Sequence, residues 1–187
     1  PNTGDVQSLC TRIEYAVYNK ENPQVLVKHK RYKSEDLNID FGIVYDSLPM
    51  GNYEIRLLAH SSATNELSEN SLTFDEVTDA FYNQTSITIG SGESISKEIN
   101  LQRIVGRVEF MATDAIQSNL KQFQILLTGY PNKFNLLTGK GIQSANEVTI
   151  NHLFTAEETG KVNNIHSLLS FIPEENKSMG VKLTATD

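Results

Sequence analysis

The sequence of 187 residues has no tryptophan and a single cysteine, Cys10. One cysteine cannot form a disulfide within the chain, so cysteine usage does not identify the redox compartment. The residues before Cys10 lack the apolar run of a lipoprotein signal, and we expect its side chain to be small, apolar and buried. No run of about 18 apolar residues is present, which excludes a membrane-spanning helix. The first residues are polar and hold no signal peptide, as in a trimmed secreted protein.

The chain also has little clustered positive charge. It carries 16 lysines and arginines against 23 acidic residues, a net charge of -7 at pH 7, spread without a long acidic block. A protein that binds nucleic acid needs a clustered basic face, so we predict no nucleic-acid partner. The one exception is KHKRYK at residues 28–33. We interpret this cluster as a solvated strand or loop rather than as a surface that binds single strands.

Motifs that support catalysis or cofactor binding are missing as well. The sequence has no Gly-x-Ser-x-Gly elbow, no cysteine–histidine signature, and no phosphate loop around the glycines of residues 90–92 and 139–141. Its histidines lie far apart along the chain, without the i+4 spacing that places two metal ligands on one helix face. They are His29, His60, His152 and His166. We therefore predict that the protein is not an enzyme and has neither a cofactor nor a metal site.

Apolar alternation with a period of two residues is the main pattern that the sequence does contain, and it is typical of β-strands with one face in a core. Hydrophobic residues make up 39% of the chain, enough to bury such a core. Residues 13–18 alternate, and so do residues 53–60, directly after Pro49 and Gly51 of a tight turn. Further strands are predicted at 25–27, 37–44, 86–89, 95–101, 105–112, 121–128, 148–150, 167–172 and 181–184. This spacing predicts an all-β sandwich.

One segment, residues 71–82, departs from the alternating pattern. Phe74, Val77 and Phe81 recur at intervals of three and four residues, with Asp75 and Asp79 between them. On a helix these three apolar side chains would share one face. The segment is therefore predicted to form a short helix, or turns, packed over a sheet.

A joint near residue 101 divides the chain, because the run from Ile95 to Asp114 closes one β-like stretch and opens another. We expect two β domains in series, residues 1–100 and 101–187. The second has fewer predicted strands than a full sandwich, so we expect it to be incomplete and the chain to be part of something longer. Three groups of residues are predicted to form the cores. The first core is lined by Tyr53, Ile55 and Leu57 and capped by Phe74, Val77 and Phe81. The second core is expected to begin with Ile104, Val105, Val108 and Phe110.

Three segments in a fixed order carry a resemblance to a known family. They are LPMGNY at residues 48–53, FDEVTDAFY at 74–82 and LQRIVGRVEF at 101–110, the last followed by Asp114. A further segment, TGYPNKFN, stands at 128–135. In this order the segments resemble the fimbrillin-like pilus subunits and fimbrial anchors of Bacteroidetes over about residues 9 to 187.

The resemblance implies two transthyretin-like Greek-key β-sandwiches in tandem, export to the cell outer membrane, and a structural or adhesive role in a type V pilus. Subunits of that kind assemble by strand exchange, in which a protease removes an N-terminal strand and a neighbour's extended tail fills the hydrophobic groove. The implied partners are other pilus subunits and surface ligands of the host or of bacteria. This sequence departs from the family in two ways, since it has no clear tail beyond Asp187 and no basic residue that stands out as a processing site.

Two other functions stay open on the sequence alone. The first is a carbohydrate-binding β-sandwich module of a surface glycan-uptake system, which exposed coplanar aromatic rings would support. The absence of tryptophan weighs against it, while seven tyrosines keep it open. The second is an enzyme, or an accessory domain of one, whose site forms only in the fold; its mark would be a deep pocket converging on carboxylates of perturbed pKa.

Overall fold

The computed structural model describes residues 6–36, 40–173 and 177–187. Within them the regular structure is almost entirely β, which confirms the predicted fold class. The elements are α1 (Val6–Leu9), β1 (Arg12–Asn19), β2 (Leu26–Lys33), β3 (Gly51–His60), β4 (Ser71–Thr73), β5 (Ala80–Ile89), β6 (Gln102–Arg103), β7 (Val105–Ala112), β8 (Gln122–Thr128), β9 (Lys133–Asn135), β10 (Lys140–Ile142), β11 (Val148–Leu153), β12 (Asn164–Phe171) and β13 (Gly180–Thr186).

The largest sheet, here called the N-terminal sheet, has five antiparallel strands in the order β2-β1-β3-β5-β6. Side chains alternate along β1, with Ile13, Tyr15 and Val17 on one face and Ala16 and Tyr18 on the other. All five side chains are buried, so both faces of this strand are covered. The predicted alternation is therefore correct, but the strand is central rather than half-exposed.

The basic cluster of residues 28–33 lies on β2, the edge strand of the N-terminal sheet. Several of its cations have acidic partners, such as Lys28 with Asp46 and Lys33 with Glu35. An edge strand exposes unpaired backbone groups, and charged side chains there oppose pairing with other chains. The charged side chains of this cluster therefore suit an edge strand that must not pair with other chains.

A second, shorter sheet covers one face of the N-terminal sheet and contains strands from both halves of the chain. Its order is β10-β9-β4, and Leu72 of β4 pairs with Phe134 of β9. The main core behind it is continuous across residue 100, since Leu58 and Phe74 pack in one cluster with Phe134 and Phe171. The domain boundary at residue 100 stays a prediction, and the structure adds an extensive contact across it.

A buried arginine ties the β9–β10 hairpin to the N-terminal sheet. Nη1 of Arg56 donates to the carbonyl oxygen of Leu136 at 2.6 Å, and the Tyr82 hydroxyl donates to the same oxygen at 2.6 Å. Nη2 of Arg56 pairs with Glu54 at 2.9 Å, while its guanidinium carbon lies 5.0 Å from the ring centre of Tyr18. A guanidinium can make these hydrogen bonds and a cation–π contact at once, which offsets the cost of burying its charge.

Apart from β6, β9 and β10, the strands of the C-terminal half form a three-stranded sheet, β11-β8-β13, and a two-stranded sheet, β12-β7. Ile125 and Leu127 of β8 pack with Val105 of β7 and Leu168 of β12 in the main core. Strand β13 is exposed along its whole length. The C-terminal half is thus a thinner sandwich than the N-terminal one.

Residues 71–82 were predicted to form a short helix or turns, and the helix does not form. The segment instead contains β4, a bridge between Phe74 and Thr64, a bend, and the start of β5 at Ala80. Its backbone donors bond to distant groups: the Phe74 amide to the carbonyl of Asn132 at 2.9 Å, and the Thr78 amide to Oγ of Ser62 at 3.2 Å. The apolar spacing therefore arises from turns in an extended chain.

Two predicted strands are also wrong. Residues 95–101 are irregular, and so are residues 40–44, while residues 37–39 of the same prediction lie outside the described part of the chain. Both segments have the apolar content of strands, but neither has a partner strand beside it. Strands β4, β9 and β10, three residues each, were not predicted because such short runs carry no periodicity.

Because the main core crosses residue 100, we expect the two halves to unfold in one transition. Phe134 is almost fully buried, with its ring centroid 5.2 Å from that of Tyr82 and 5.1 Å from that of Phe171. Phe134→Ala should lower the free energy of unfolding by about 3–5 kcal/mol in urea melts followed by circular dichroism. Met111→Ala, at a side chain that is 57% exposed, should change it by less than about 0.5 kcal/mol. Two transitions, only one of them moved by Phe134→Ala, would contradict this view.

Candidate functional site

A groove of about 800 Å³ lies on the face of the N-terminal sheet that points away from the main core. Its floor is apolar because β3 and β5 place alternate residues there. Ile55 pairs with Thr85 and Tyr53 with Ile87 across the two strands, which puts these side chains on one face. The lining residues of the floor are Tyr15, Ile55, Leu57, Thr85, Ile87 and Ile89.

Two irregular segments form the rims of this groove: residues 42–48 on one side and 93–99 on the other. They overlap the two segments predicted as strands, residues 37–44 and 95–101. Within the described chain, residues 44–49 and 94–99 make no backbone-to-backbone hydrogen bond. Apolar side chains are also exposed on both rims, with Ile43 46%, Tyr45 75% and Ile95 45% exposed. The groove therefore combines an apolar floor with rims whose backbone is outside any strand ladder, although the Pro49 carbonyl accepts the Tyr53 hydroxyl at 3.1 Å.

The first rim, residues 42–48, is held to the sheet by Asp46. Its carboxylate accepts a hydrogen bond from the Tyr15 hydroxyl at 3.1 Å and another from the Lys28 ammonium. Desolvation alone would raise the pKa of Asp46, but these hydrogen bonds outweigh it and hold the pKa below its ordinary value. Burial, together with the Asp46 charge, raises the pKa of Tyr15. The rim is thus pinned by a carboxylate that is ionised at neutral pH.

The second rim, residues 93–99, is attached through side chains and a turn. The Lys97 ammonium donates to the carbonyl of Ser86 at 3.1 Å, and the Asn83 side chain donates to the carbonyl of Asn100 at 2.6 Å. The Glu93 carboxylate accepts the amide of Gly90 at 2.8 Å. These contacts hold the rim over β5 and leave residues 94–99 without a backbone-to-backbone hydrogen bond in the described chain.

The predicted core residues are divided among three clusters of buried side chains. Tyr53 and Ile55 are buried under the groove, and Leu57 is half-buried beside them. The three residues expected to cap this core separate: Phe74 and Val77 enter the main core, whereas Phe81 packs with Cys10, Ile13, Phe41 and Ala59. The four residues after the joint all border the main core, with Val105 buried and Ile104, Val108 and Phe110 half-buried.

Sequence reasoning missed the groove itself. Its signal was the apolar content of the segments 37–44 and 95–101, and this content indicated strands. Whether a β-like segment pairs or stays open depends on the position of its neighbours, which the segment's own sequence does not specify.

A buried cluster of ionisable side chains lies on the other face of the N-terminal sheet, away from the groove. Glu14 is fully buried, and its carboxylate contacts Nε2 of His29 at 2.7 Å, Nε of Arg31 at 2.5 Å and Nε2 of His60 at 3.5 Å. Burial alone would raise the pKa of Glu14, but hydrogen bonds from these three side chains lower it to about 2. The groove does not reach this cluster, whose carboxylate is fully buried and bound on several sides, so we assign it to the fold rather than to a site.

Two further features bear on a site in the described chain: possible metal ligands and membrane-spanning helices. No group of three or more histidine, cysteine, aspartate or glutamate side chains could hold a metal ion there. None of the described helices has the length and apolar character needed to cross a membrane. The groove is therefore the candidate site that the main sheet offers.

The Glu14 cluster should make stability depend on acid pH. Because the folded-state pKa of about 2 lies below the ordinary 4.5, the ionised carboxylate stabilises the fold above about pH 4.5, and this stabilisation is lost as pH falls toward 2. Glu14→Gln should cost about 3 kcal/mol at pH 7 and flatten the dependence in urea melts between pH 3 and 7. Glu109→Gln removes an exposed ion pair with Arg107 and should cost less than about 1 kcal/mol. Parallel curves for wild type and Glu14→Gln would contradict the role of Glu14.

The fold is similar to those of several solved surface proteins. A proposed adhesin of Bacteroides thetaiotaomicron VPI-5482 matches with a TM-score of 0.57 and 10% identity, over 95% of this chain and 69% of that one. Proposed polysaccharide-binding proteins of the same strain match with a TM-score of 0.64 and 11% identity, over 95% and 69% of the two chains. The fimbrial anchor protein Mfa2 of Porphyromonas gingivalis matches with a TM-score of 0.57 and 10% identity, over 94% and 69%.

These identities show likeness of fold, and at that level they confirm the resemblance to fimbrillin-like proteins. No curated protein sequence matches this chain. A family model described as "Family of unknown function (DUF6562)" matches residues 50–187, which is most of the chain. The protein therefore belongs to the DUF6562 family.

Proposed function

We propose that this protein is a structural or adhesive component of a bacterial surface fimbria, a subunit or an anchor, located outside the cell at the outer membrane. It acts by protein–protein contact, and its partners are other fimbrial subunits. The fold supports this role because its structural neighbours are described as adhesins, a fimbrial anchor and polysaccharide-binding proteins. None of these descriptions names an enzyme. Fold likeness is a weak guide to function, so the proposal depends on the groove.

The observation that carries the proposal is the groove between two rims whose residues 44–48 and 94–99 make no backbone-to-backbone hydrogen bond within the described chain. An extended segment from a neighbouring subunit can lie between these rims and bond to amide and carbonyl groups there. Its alternate side chains would then rest on Leu57, Ile87 and Ile89 of the floor. In such sheet augmentation, main-chain hydrogen bonds supply affinity and side-chain pockets supply register. The groove thus suits the strand exchange by which fimbrillin-like subunits assemble.

The groove is a poor fit to catalysis. Three carboxylates line the groove: Asp46 is bound by Lys28 and Tyr15, Glu93 accepts the amide of Gly90, and Glu98 is exposed to solvent on the second rim. A general base needs a carboxylate or imidazole that can reach a substrate proton. The fully buried Glu14 cluster lies on the opposite face and has no access to the groove. These observations support a binding role.

Carbohydrate binding has less support from the same surface. Sugar rings stack on flat, exposed aromatic side chains. Of the two tyrosines that line the groove, Tyr15 is buried and only Tyr45 is exposed. One exposed ring is a small platform for a polysaccharide, so we favour a protein strand as the occupant.

The test compares two matched substitutions of exposed isoleucines in the full-length precursor, expressed in its native bacterium. Ile95→Arg places a charge on the rim of the groove, whereas Ile172→Arg places it outside; the two side chains are 45% and 54% exposed. Because both are exposed, neither variant should lose more than about 1 kcal/mol of stability. In sheared surface filaments, Ile95→Arg should reduce incorporation at least tenfold relative to wild type, while Ile172→Arg should leave it unchanged.

Wild-type incorporation of Ile95→Arg would sink the strand-acceptor role of the groove. Absence of the wild-type protein from filaments, together with glycan binding that Ile95→Arg abolishes, would replace the proposal with a carbohydrate-binding module. Abundant wild-type incorporation identifies a stalk subunit, and trace incorporation a tip or an anchor.

A further inference from the structure

The C-terminal half contains a second, smaller opening with an unusual set of side chains. This cleft of about 290 Å³ lies between the two C-terminal sheets, above Ile125 and Ile150. His152 of β11 and His166 of β12 face it from different sheets, together with Glu158 from the loop between these strands. The two histidines are far apart in the sequence, and strands in different sheets bring them together only in the fold.

The two imidazole rings are spaced as they would be on a shared metal ion. Their centroids lie 4.7 Å apart, with 62° between the ring planes. A bound metal stands about 2.1 Å from each nitrogen, so two imidazoles at a square-planar or tetrahedral angle have centroids roughly 4.5–5.2 Å apart. The observed spacing of His152 and His166 falls in this range.

The surroundings of His152 resemble the support that metal-binding histidines have. Nε2 of His152 hydrogen-bonds to Oε1 of Glu158 at 2.7 Å. The second carboxylate oxygen of Glu158 accepts the amide of Thr155 at 2.8 Å and its hydroxyl at 2.9 Å, which fixes the carboxylate. When Nε2–H donates to a fixed carboxylate, Nδ1 keeps its lone pair, and this arrangement both orients the ring and increases its basicity.

We propose that His152 and His166 together bind a divalent late transition-metal ion, Cu²⁺ most tightly, across the cleft between the two C-terminal sheets. Imidazole nitrogen suits Cu²⁺, Ni²⁺ and Zn²⁺, whereas Mg²⁺ and Ca²⁺ require oxygen ligands. Water completes the coordination, because the nearby Asn151 oxygen already accepts bonds from Gln122 at 2.8 Å and Gln124 at 3.1 Å. A site with two protein ligands agrees with the absence of three-residue metal clusters in the described chain.

A purely aromatic cluster is the competing explanation of the same geometry. The His166 ring also lies 4.8 Å from that of Phe123, and the His152 ring 5.3 Å from that of Phe154. Edge-to-face packing of this kind stabilises a fold without any metal. The two explanations differ in what removal of each ring does to metal affinity, and Phe154→Leu supplies the matched control.

The experiment is a calorimetric titration of the whole chain with Cu²⁺, repeated with Mg²⁺. We expect one equivalent of Cu²⁺ to bind and Mg²⁺ not to bind. His152→Ala and His166→Ala should each weaken Cu²⁺ affinity at least tenfold, and Glu158→Gln should weaken it by about 10–100-fold through loss of the fixed carboxylate. Phe154→Leu should leave it within about threefold, because it removes a ring contact but no ligand. Unchanged affinity in either histidine variant would overturn the proposal.

Two further readouts keep the test valid if a variant folds poorly. The electron paramagnetic resonance spectrum of Cu²⁺ on the wild-type chain should show coupling to two imidazole nitrogens. Cu²⁺ should also raise the melting temperature of wild type and of Phe154→Leu, because a ligand that binds only the folded state stabilises it. A spectrum with oxygen ligands alone, or one equivalent retained by the double variant His152→Ala/His166→Ala, would show adventitious binding and refute the site.

Discussion

The carbonyl oxygen of Leu136 holds the two halves of this protein together. It accepts hydrogen bonds from Arg56 and from Tyr82, which stand on neighbouring strands of the N-terminal sheet. An unpaired carbonyl at a buried position is costly, and a buried guanidinium without a partner costs more. The guanidinium also has Glu54 and the Tyr18 ring beside it, and the bond to Leu136 adds the contact that reaches across to the hairpin. The pairing therefore favours the arrangement in which the β9–β10 hairpin lies against the sheet and Phe134 of β9 is buried in the main core.

The two faces of the N-terminal sheet differ: one packs in the main core, and the other forms the floor of the groove. Side chains of one face, such as Leu58 and Tyr82, meet the hairpin and the main core. On the other face, Ile87 and Ile89 stay half-exposed under the groove. Since the closed face supplies most of the packing, the open face can keep an apolar floor without the sheet losing its shape. Binding proteins often depend on this division between a rigid support and an open surface.

Parts of this architecture could be predicted from local sequence. Alternation in β1 and β3 was sufficient because Ile13, Tyr15, Ile55 and Leu57 each lie in a long strand whose period is clear. Prediction failed where pairing decides structure. Residues 95–101 have the composition of a strand but no neighbour to pair with, and their unpaired state is what creates the groove. The site was therefore hidden in segments whose predicted structure was wrong.

Long-range contacts account for the other failures. The spacing of Phe74 and Val77 is compatible with a helix. The helix does not form because the Phe74 amide bonds to the carbonyl of Asn132 in a distant segment. His152 and His166 looked isolated for a similar reason, as they sit on strands of different sheets. Local periodicity contains no information about such contacts, because they depend on topology.

The pairing of Leu72 with Phe134 also bears on the order in which parts of the chain fold. Contacts between residues this far apart form late, since a long loop must close first. The N-terminal sheet can form its ladders early, but the apolar face around Leu58 and Tyr82 remains uncovered until the hairpin of residues 133–142 becomes available. A chain that emerges from its amino end therefore passes through a stage with this surface exposed, and during that stage it needs protection from aggregation.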